Sequence, residues 1–249
     1  MALAAWKRFE TTPGYQRLKV RLKRLVGQEL RLAPELDIEC VVDGGWAYDA
    51  SLLGEFSIVY SLGVGDNIDF DLALIKRCQS NVYAFDPTPS SQSFVGQDDR
   101  PRQFHFQAWA AAGDDGTLTL YPRVLRGGKL SEMMYTLVPE HSSGDSGVEV
   151  PAYTIGTLVE KLGHSRIDLL KMDIEGAEFD VLDDLLESSI RPGQLLVEFH
   201  HRFVENGLQR TTDVIARLQS EGYRMFSVCA ETGREVSFLH QPQEPRSGP

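Results

Sequence analysis

Cysteine is scarce in this sequence: three residues, Cys40, Cys78 and Cys229, stand far apart along 249 positions. No two have the Cys-x-x-Cys spacing of metal cages and redox motifs, so neither a zinc cage nor a disulfide framework is predicted. Long apolar runs are also missing, and no segment approaches the length of a membrane-spanning helix. The N-terminus lacks the continuous apolar core of a secretory signal. These absences predict a soluble, cytoplasmic protein.

Basic side chains are outnumbered, since 25 Lys and Arg stand against 36 Asp and Glu, giving a net charge of −11. A nucleic-acid binder needs clustered Lys and Arg to neutralise phosphates, so this balance argues against nucleic acid as a partner. The deficit is uneven, because residues 1–32 carry eight basic and two acidic side chains. This arm holds a charge of +6 and leaves −17 for the rest of the chain.

The basic arm has a helical pattern. Leu18, Leu22, Leu25 and Leu30 recur at near-helical spacing, which predicts an amphipathic helix over residues 15–32. Its basic face could meet an anionic membrane surface, an acidic partner or an anionic substrate. The alternative is a solvated basic face on a helix that packs against the acidic body of its own chain.

Strand and helix signals alternate through the rest of the chain. The predicted strands are 57–62, 82–86, 104–110, 167–174 and 194–200, with 117–121 as an edge strand and 223–230 with 235–240 as a closing hairpin. This alternation predicts an α/β domain over residues 37–241, with a mostly parallel sheet, helices on both faces and an antiparallel edge strand. Residues 1–36 form a basic helical extension in this prediction, and residues 242–249 a flexible tail.

A glycine turn follows the first of these strands. Gly63 and Gly65 allow a tight turn and a close approach of the backbone to a ligand. A dinucleotide fingerprint would place a third glycine where Ile68 stands. Asp66 and Asp69 put negative charge at the start of the next helix, which disfavours a pyrophosphate and suits a ligand with an ammonium group. The pattern favours an amino-acid-bearing nucleoside over NAD, and the alternative is an ordinary strand–helix turn.

Acidic residues follow three predicted strands. Asp86 ends the second strand, where it could accept both ribose hydroxyls of a nucleoside or cap a helix beginning near Thr88. Asp173 lies at the tip of a later strand, and alternation places Glu198 and His200 on one face of the next. These three side chains are predicted to converge, as a base for a hydroxyl group or as ligands of a divalent metal such as Mg²⁺.

The Lys-x-Asp-x-Glu-Gly-x-Glu motif at 171–178 brings Glu175 and Glu178 beside this cluster, where they could cap the following helix. With this motif, the sequence resembles the FkbM-type family of S-adenosylmethionine-dependent methyltransferases (class I, Rossmann-like). The resemblance covers roughly residues 40–240 and rests on the segments 59–65, 82–86, 170–178 and 196–200.

The resemblance implies a seven-stranded sheet with a reversed last strand, and S-adenosylmethionine as cofactor. It implies that Gly63 and Gly65 border the methionine moiety, Asp86 the ribose, and the segment Ala108-Trp109 the adenine. The sequence departs from the pattern in two places. Ser61 stands where many members of the superfamily carry an acid, and Asn67 stands where they carry a third glycine. Asp66 is the expected substitute at the methionine end, with Asp173 also near the cofactor.

The predicted reaction is O-methylation of a hydroxyl on a small molecule or sugar-like acceptor. Asp173 or His200 is the predicted base, or a metal held by Asp173 and Glu198 lowers the pKa of the hydroxyl. One alternative is a catalytically inactive cofactor-binding or interaction module, and another is an NAD-dependent oxidoreductase. The long polar stretch 123–148 is either a substrate lid or a disordered insertion.

Overall fold

The computed structural model describes residues 12–96, 100–124, 130–136 and 147–241. The predicted tail at 242–249 lies outside this range. The α-helices described are α1 (Pro13–Leu25), α2 (Asp69–Cys78), α3 (Pro89–Val95), α4 (Ile155–Leu162), α5 (Glu178–Glu187) and α6 (Gly207–Ser220). The strands are β1 (Val41–Asp43), β2 (Trp46–Tyr48), β3 (Ile58–Leu62), β4 (Asn81–Phe85), β5 (Phe104–Gln107), β6 (Ala110–Ala111), β7 (Gly116–Val124), β8 (Leu130–Thr136), β9 (Val148–Tyr153), β10 (Leu169–Met172), β11 (Gln194–Glu198), β12 (Tyr223–Val228) and β13 (Glu235–His240).

Seven strands form the main sheet in the order β12-β13-β11-β10-β3-β4-β5. The five from β11 to β5 pair in parallel, whereas β13 pairs antiparallel with both β11 and β12. The predicted α/β fold with a seven-stranded sheet and a reversed last strand is therefore confirmed. The closing hairpin supplies the edge strand β12, and the reversed last strand β13 lies one place inside that edge. Val236, Ser237 and Phe238 are all buried, so β13 needs cover on both faces and lies between two strands.

The core is divided between the two faces of this sheet. In β3, Tyr60 and Leu62 point to one face and Val59 to the other, as strand alternation requires. Helices α4, α5 and α6 contribute buried side chains to the first face. The second face is covered by α2 and the β1–β2 hairpin. Because both faces are packed, the strand ends and the turns that follow them are held in place.

A second sheet, with the order β6-β9-β7-β8, adjoins the main one. The predicted edge strand 117–121 belongs here as part of β7, and its assignment as an edge strand is wrong, because β7 lies between β9 and β8. The predicted strand 104–110 also divides, with β5 in the main sheet and β6 in this one. The stretch 123–148 is not one continuous loop, because β8 lies within it; residues 125–129 and 137–146 fall outside the described range.

The predicted N-terminal helix is present but shorter than expected. It ends at Leu25, where the chain turns through Gly27 with a φ of +72°. Val20 is buried against Gly233, and Arg17 forms an ion pair of 2.6 Å with Glu231. The helix therefore packs on the body of the chain through the side that carries Arg17 and Val20, and Glu231 is an acidic partner on that side. In the ranges that the structure covers, no helix is long and apolar enough to cross a bilayer.

Candidate functional site

A cleft of about 730 Å³ opens at the carboxyl ends of β3, β4 and β10. The connection after β3 leads towards β4 and the chain later returns to β10 on the other side, so this is a topological switch point, where open α/β sheets bind ligands. The turns at 63–67, 85–88 and 173–177 line its floor and walls. Leu118, Leu120, Ser131 and Tyr135 of the second sheet line it from a further side.

The glycine turn is fixed by both neighbouring strands. Gly63 has a φ of +75°, and a Cβ at this position would lie 1.7 Å from the carbonyl oxygen of Asp173, so only glycine fits. The Gly63 amide donates to the Phe85 carbonyl at 2.9 Å, and Lys171 Nζ donates to the Gly63 carbonyl at 2.7 Å. Lys171 was not among the predicted site residues, although its place in the 171–178 motif was the available signal.

Asp86 holds the same turn from the β4 side. Its Oδ2 accepts hydrogen bonds from the amides of Val64 and Gly65 at 3.0 and 2.9 Å. Its Oδ1 accepts from the Thr88 amide at 2.9 Å and the Thr88 hydroxyl at 2.6 Å. Thr88 is the N-cap of α3. Asp86 thus orders both the turn and the start of this helix. Its contact with a ribose remains a prediction, and a ribose hydroxyl would have to share the Asp86 oxygens with these backbone and side-chain donors.

The turn offers a direct test at Gly65, whose φ is +58° and whose added Cβ would meet no atom within 4 Å, in open space on the cleft wall. Gly65→Ala is expected to cost roughly 1 kcal/mol of stability through left-handed strain. Because the resemblance places the methionine end of the cofactor at this turn, the added methyl should also weaken S-adenosylhomocysteine binding about tenfold. Gly163→Ala is the matched control, since Gly163 has a φ of +70° and open space but lies outside the cleft lining. Equal affinities of the two variants for S-adenosylhomocysteine in calorimetric titration would contradict the placement of the ligand beside Gly65.

A buried acid lies on the cleft floor. Asp71 is 2% exposed. It lines the cleft with Lys171 and Trp46, whose ring centre is 5.3 Å from Lys171 Nζ. Burial raises the pKa of Asp71, and the nearby Lys171 opposes this shift. When it is ionised, a buried carboxylate beside the cleft favours a cationic ligand group.

Asp71 was not among the predicted site residues, although its position in the helical pattern of 69–78 indicated burial. It shares one face of α2 with Leu74, Ile75 and Cys78, all buried, so a carboxylate there had to be buried too. Ser61, at the position where an acid is usual, is fully buried and pairs in register with Lys171 across β3 and β10. The Ser61 hydroxyl lies beside the Asp71 carboxyl and, like Lys171, acts to lower the pKa of that carboxyl.

The structure brings together Asp173, Glu198 and His200. His200 Nε2 lies 3.7 Å from Asp173 Oδ1 and 3.6 Å from Glu198 Oε1, and one ligand atom from each residue fits within a 4.8 Å span. Asp173 lines the cleft with a third of its side chain exposed, while His200 is buried behind it. His201 faces elsewhere, 3.3 Å from Glu29 Oε1. A carboxylate at the ligand surface is thus backed by an imidazole.

The charges around His200 shift its titration. Burial favours the neutral ring, but the carboxylates of Glu178, Glu198 and Glu175 outweigh it and raise the pKa of His200. For Glu198, burial and the neighbouring Asp173 raise the pKa to about 7. A protonated ring cannot accept a further proton, so the raised pKa favours a role for His200 in stabilising the surrounding carboxylates over a role as the base.

Glu178 supports this cluster from inside the core. It is fully buried, and its carboxylate accepts hydrogen bonds from the His200 amide at 2.6 Å and the Gly176 amide at 2.8 Å. The expected capping role therefore takes a different form. Glu178 accepts from the Gly176 amide just before α5, and through the His200 amide it links this helix to the chain after β11. Glu175, with a φ of +53°, is half exposed on the cleft wall.

The remaining predicted cofactor contacts divide into two groups. Asp66 lines the cleft beside the glycine turn. Ala108 and Trp109 are not among the lining residues, whereas Ala110 and Ala111 are. Trp109 packs edge to face against Tyr153, with ring centres 5.5 Å apart. The adenine position therefore stays a prediction for the 108–109 segment, and the next two residues are the ones that reach the cleft.

The sheet order and the cleft at its switch point define a Rossmann-like α/β protein. The methyltransferase FkbM domain matches residues 58–225, more than half of the chain. The chain therefore belongs to the FkbM methyltransferase family, as the sequence motifs predicted.

Similarity to individual proteins is more limited. The probable methyltransferase-like protein 24 of rat and that of human are each 27% identical over 95 residues, which is 34% of this chain and 26% of theirs. The crystal structure of methyltransferase FkbM from Methylobacillus flagellatus has 12% identity and a TM-score of 0.46, covering 76% of this chain and 44% of that one. The fibrillarin pre-rRNA processing protein of Methanococcus jannaschii has 8% identity and a TM-score of 0.45, covering 86% of this chain and 87% of that one.

Proposed function

We propose that this protein transfers the methyl group of S-adenosylmethionine to a hydroxyl oxygen of a small or sugar-like acceptor. The observation that supports this most directly is that Asp173 faces the same cleft as the Gly63–Gly65 turn. The turn provides the expected position for the methionine end of the cofactor, and Asp173 provides a proton acceptor within the same enclosure. A hydroxyl acceptor needs such a group, because its oxygen must lose a proton during transfer.

The cofactor's amino-acid end has a charged counterpart on the cleft floor. In this proposal the ammonium group of S-adenosylmethionine pairs with the carboxylate of Asp71, in place of an acid at Ser61. Lys171, bonded to the turn, adds positive charge near the methionine carboxylate, and Asp66 stands at the turn itself. The ribose then lies towards Asp86. This arrangement gives the ammonium and carboxylate groups of the ligand partners of opposite sign.

Methyl transfer from a sulfonium is an in-line displacement, so the chain's main task is to align acceptor and methyl group. Positioning of this kind supplies on the order of 7–11 kcal/mol, and a placed base about 10²–10⁴-fold in rate. Asp173 takes the hydroxyl proton in this mechanism. His200, held 3.7 Å away, stabilises the carboxylate and orients it towards the cleft.

A divalent metal is the second version of the same site. The oxygen and nitrogen donors of Asp173, Glu198 and His200 suit such an ion, and they lie close enough to share it. A bound metal would lower the pKa of the acceptor hydroxyl. An ion pair of 2.9 Å between Arg234 and Glu198 competes for that carboxylate. We expect turnover to survive a strong chelator; a loss that added Mg²⁺ restores would establish the metal version.

Calorimetric titration tests the proposal first. Wild-type protein should bind S-adenosylhomocysteine and should not bind NAD; the reverse would support an oxidoreductase. Methyl-donor consumption is then measured with a panel of hydroxylated small molecules and sugars, with an RNA as comparison. Because the chain beyond residue 32 carries −17, we expect the small molecules to be methylated and the RNA not. Cofactor binding without methylation of any substrate would favour the inactive module.

A further inference from the structure

Helix α1 turns its apolar face away from the rest of the protein. Leu18 and Leu22 are each 55% exposed, Leu25 71% and Val26 68%. Their spacing of four, seven and eight residues from Leu18 places them in one stripe along the helix. The opposite side of the helix carries Val20, which is buried. A helix that served only the fold would place these side chains the other way round.

Cations border this stripe, which we call the leucine stripe (Leu18, Leu22, Leu25 and Val26). On an ideal helix, Lys19 and Arg21 project from its two flanks, and both are exposed. An apolar stripe with Lys or Arg at its borders is the pattern of helices that lie in a membrane interface. The charge and the apolar surface therefore point outward together.

More positive charge lies at the end of the helix. Lys23 and Arg202 line a second cleft of about 710 Å³, next to Gly27 and Gln28. Burial and the neighbouring Arg202 and Lys19 lower the pKa of Lys23, and Glu29 opposes them. Glu29 pairs with Arg202 at 2.9 Å and offsets one of these charges. The cleft still collects more cations than anions, as an anionic headgroup would require.

We propose that α1 docks this protein on an anionic phospholipid surface, with the leucine stripe in the interface and the cations of α1 against the headgroups. The rest of the chain is strongly acidic and would be repelled by such a surface, so docking is limited to this face. A second copy of the chain fits less well. A symmetric contact between two stripes would bring the Lys19 and Arg21 side chains of both copies together.

Vesicle co-sedimentation with the full chain tests this docking. Binding is expected to vesicles of phosphatidylcholine mixed with phosphatidylglycerol and not to phosphatidylcholine alone, and it should weaken with added salt. Leu18→Ser combined with Leu22→Ser should reduce binding at least roughly tenfold through lost apolar contact. Lys19→Gln combined with Arg21→Gln should reduce it roughly thirtyfold.

Leu52→Ser is the matched control, since Leu52 is 53% exposed but lies outside α1, and its vesicle binding should equal that of the wild type. Circular dichroism confirms that each variant is folded. Absence of binding to anionic vesicles would overturn the proposal, as would equal binding by the Leu18/Leu22 double variant. A concentration-dependent dimer that this double variant abolishes, without vesicle binding, would assign the stripe to a contact between copies.

Discussion

Asp71→Asn is expected to lower the affinity for S-adenosylhomocysteine about a hundredfold, roughly 3 kcal/mol, while the protein stays folded. The substitution keeps the shape of a side chain that is 2% exposed but removes the negative charge on the cleft floor. The ligand's ammonium group then enters a buried site without its partner. Calorimetric titration measures the loss.

A ligand without the amino-acid end provides the control. 5′-Methylthioadenosine keeps the adenosine and the sulfur but has no ammonium group, so wild type and Asp71→Asn should bind it with equal affinity. Equal losses for both ligands would mean that the substitution damages the whole cleft. Unchanged affinity for S-adenosylhomocysteine would remove Asp71 from the site while leaving the proposed reaction intact.

The stability of Asp71→Asn should change in the opposite direction to its affinity. Burial raises the pKa of Asp71, so the native state holds this proton more tightly than the unfolded chain does. The wild type therefore loses stability as the pH rises above the unfolded value of about 3.9, and asparagine removes this penalty. Without ligand, the variant should equal or exceed the wild type in urea unfolding at pH 7, with the difference vanishing in acid. A variant that is less stable at pH 7 would contradict this account.

Asp173→Asn is expected to reduce methyl transfer to a hydroxylated acceptor by about 10²–10⁴-fold. The amide keeps the size of the side chain but cannot take the acceptor's proton. Affinity for S-adenosylhomocysteine should fall by less than about tenfold, because the glycine turn and the cleft floor are untouched. Single-turnover measurement with a substrate found in the hydroxyl panel separates the two effects.

Glu175→Gln is the matched control for Asp173→Asn. It removes a charge from the same cluster, but its carboxylate is half exposed and lies 3.9 Å from His200 Nε2, so turnover should fall less than tenfold. His200→Gln should show an intermediate loss and a shifted pH profile, because in the proposed mechanism His200 stabilises and positions Asp173. Full turnover by Asp173→Asn would exclude it as the base.

The parts of the site that follow local sequence rules could be predicted. The glycine turn, Asp86 and Asp173 each end a short β-branched or apolar strand, and parallel strands bring such ends to one edge of a sheet. The meeting of Glu198 and His200 with Asp173 followed from strand alternation and the adjacency of β10 and β11. These relations depend on spacing within a few residues.

The parts that depend on distant pairing could not be predicted. Asp71 reaches the floor because α2 lies against the sheet next to Lys171, and a helix register does not disclose its neighbour. Strand β8 lies within a glycine-rich polar stretch, and its pairing with β7 outweighs the weak local preference. The position of β13 also depends on which strand accepts it, since both edges offer free backbone groups.

The placement of β13 has a consequence for how the protein is made. Strand β12 emerges from the ribosome first but has no partner until β13, synthesised after it, inserts against β11. Until then the growing chain exposes the unpaired edge of β11 and the apolar surface that later packs against Val236 and Phe238. Both of these side chains are fully buried in the folded protein. Such a late, sequence-distant closure slows folding and favours chaperone engagement during synthesis. A chain that ends at residue 234, and so lacks β13, should therefore aggregate and not form a smaller folded protein.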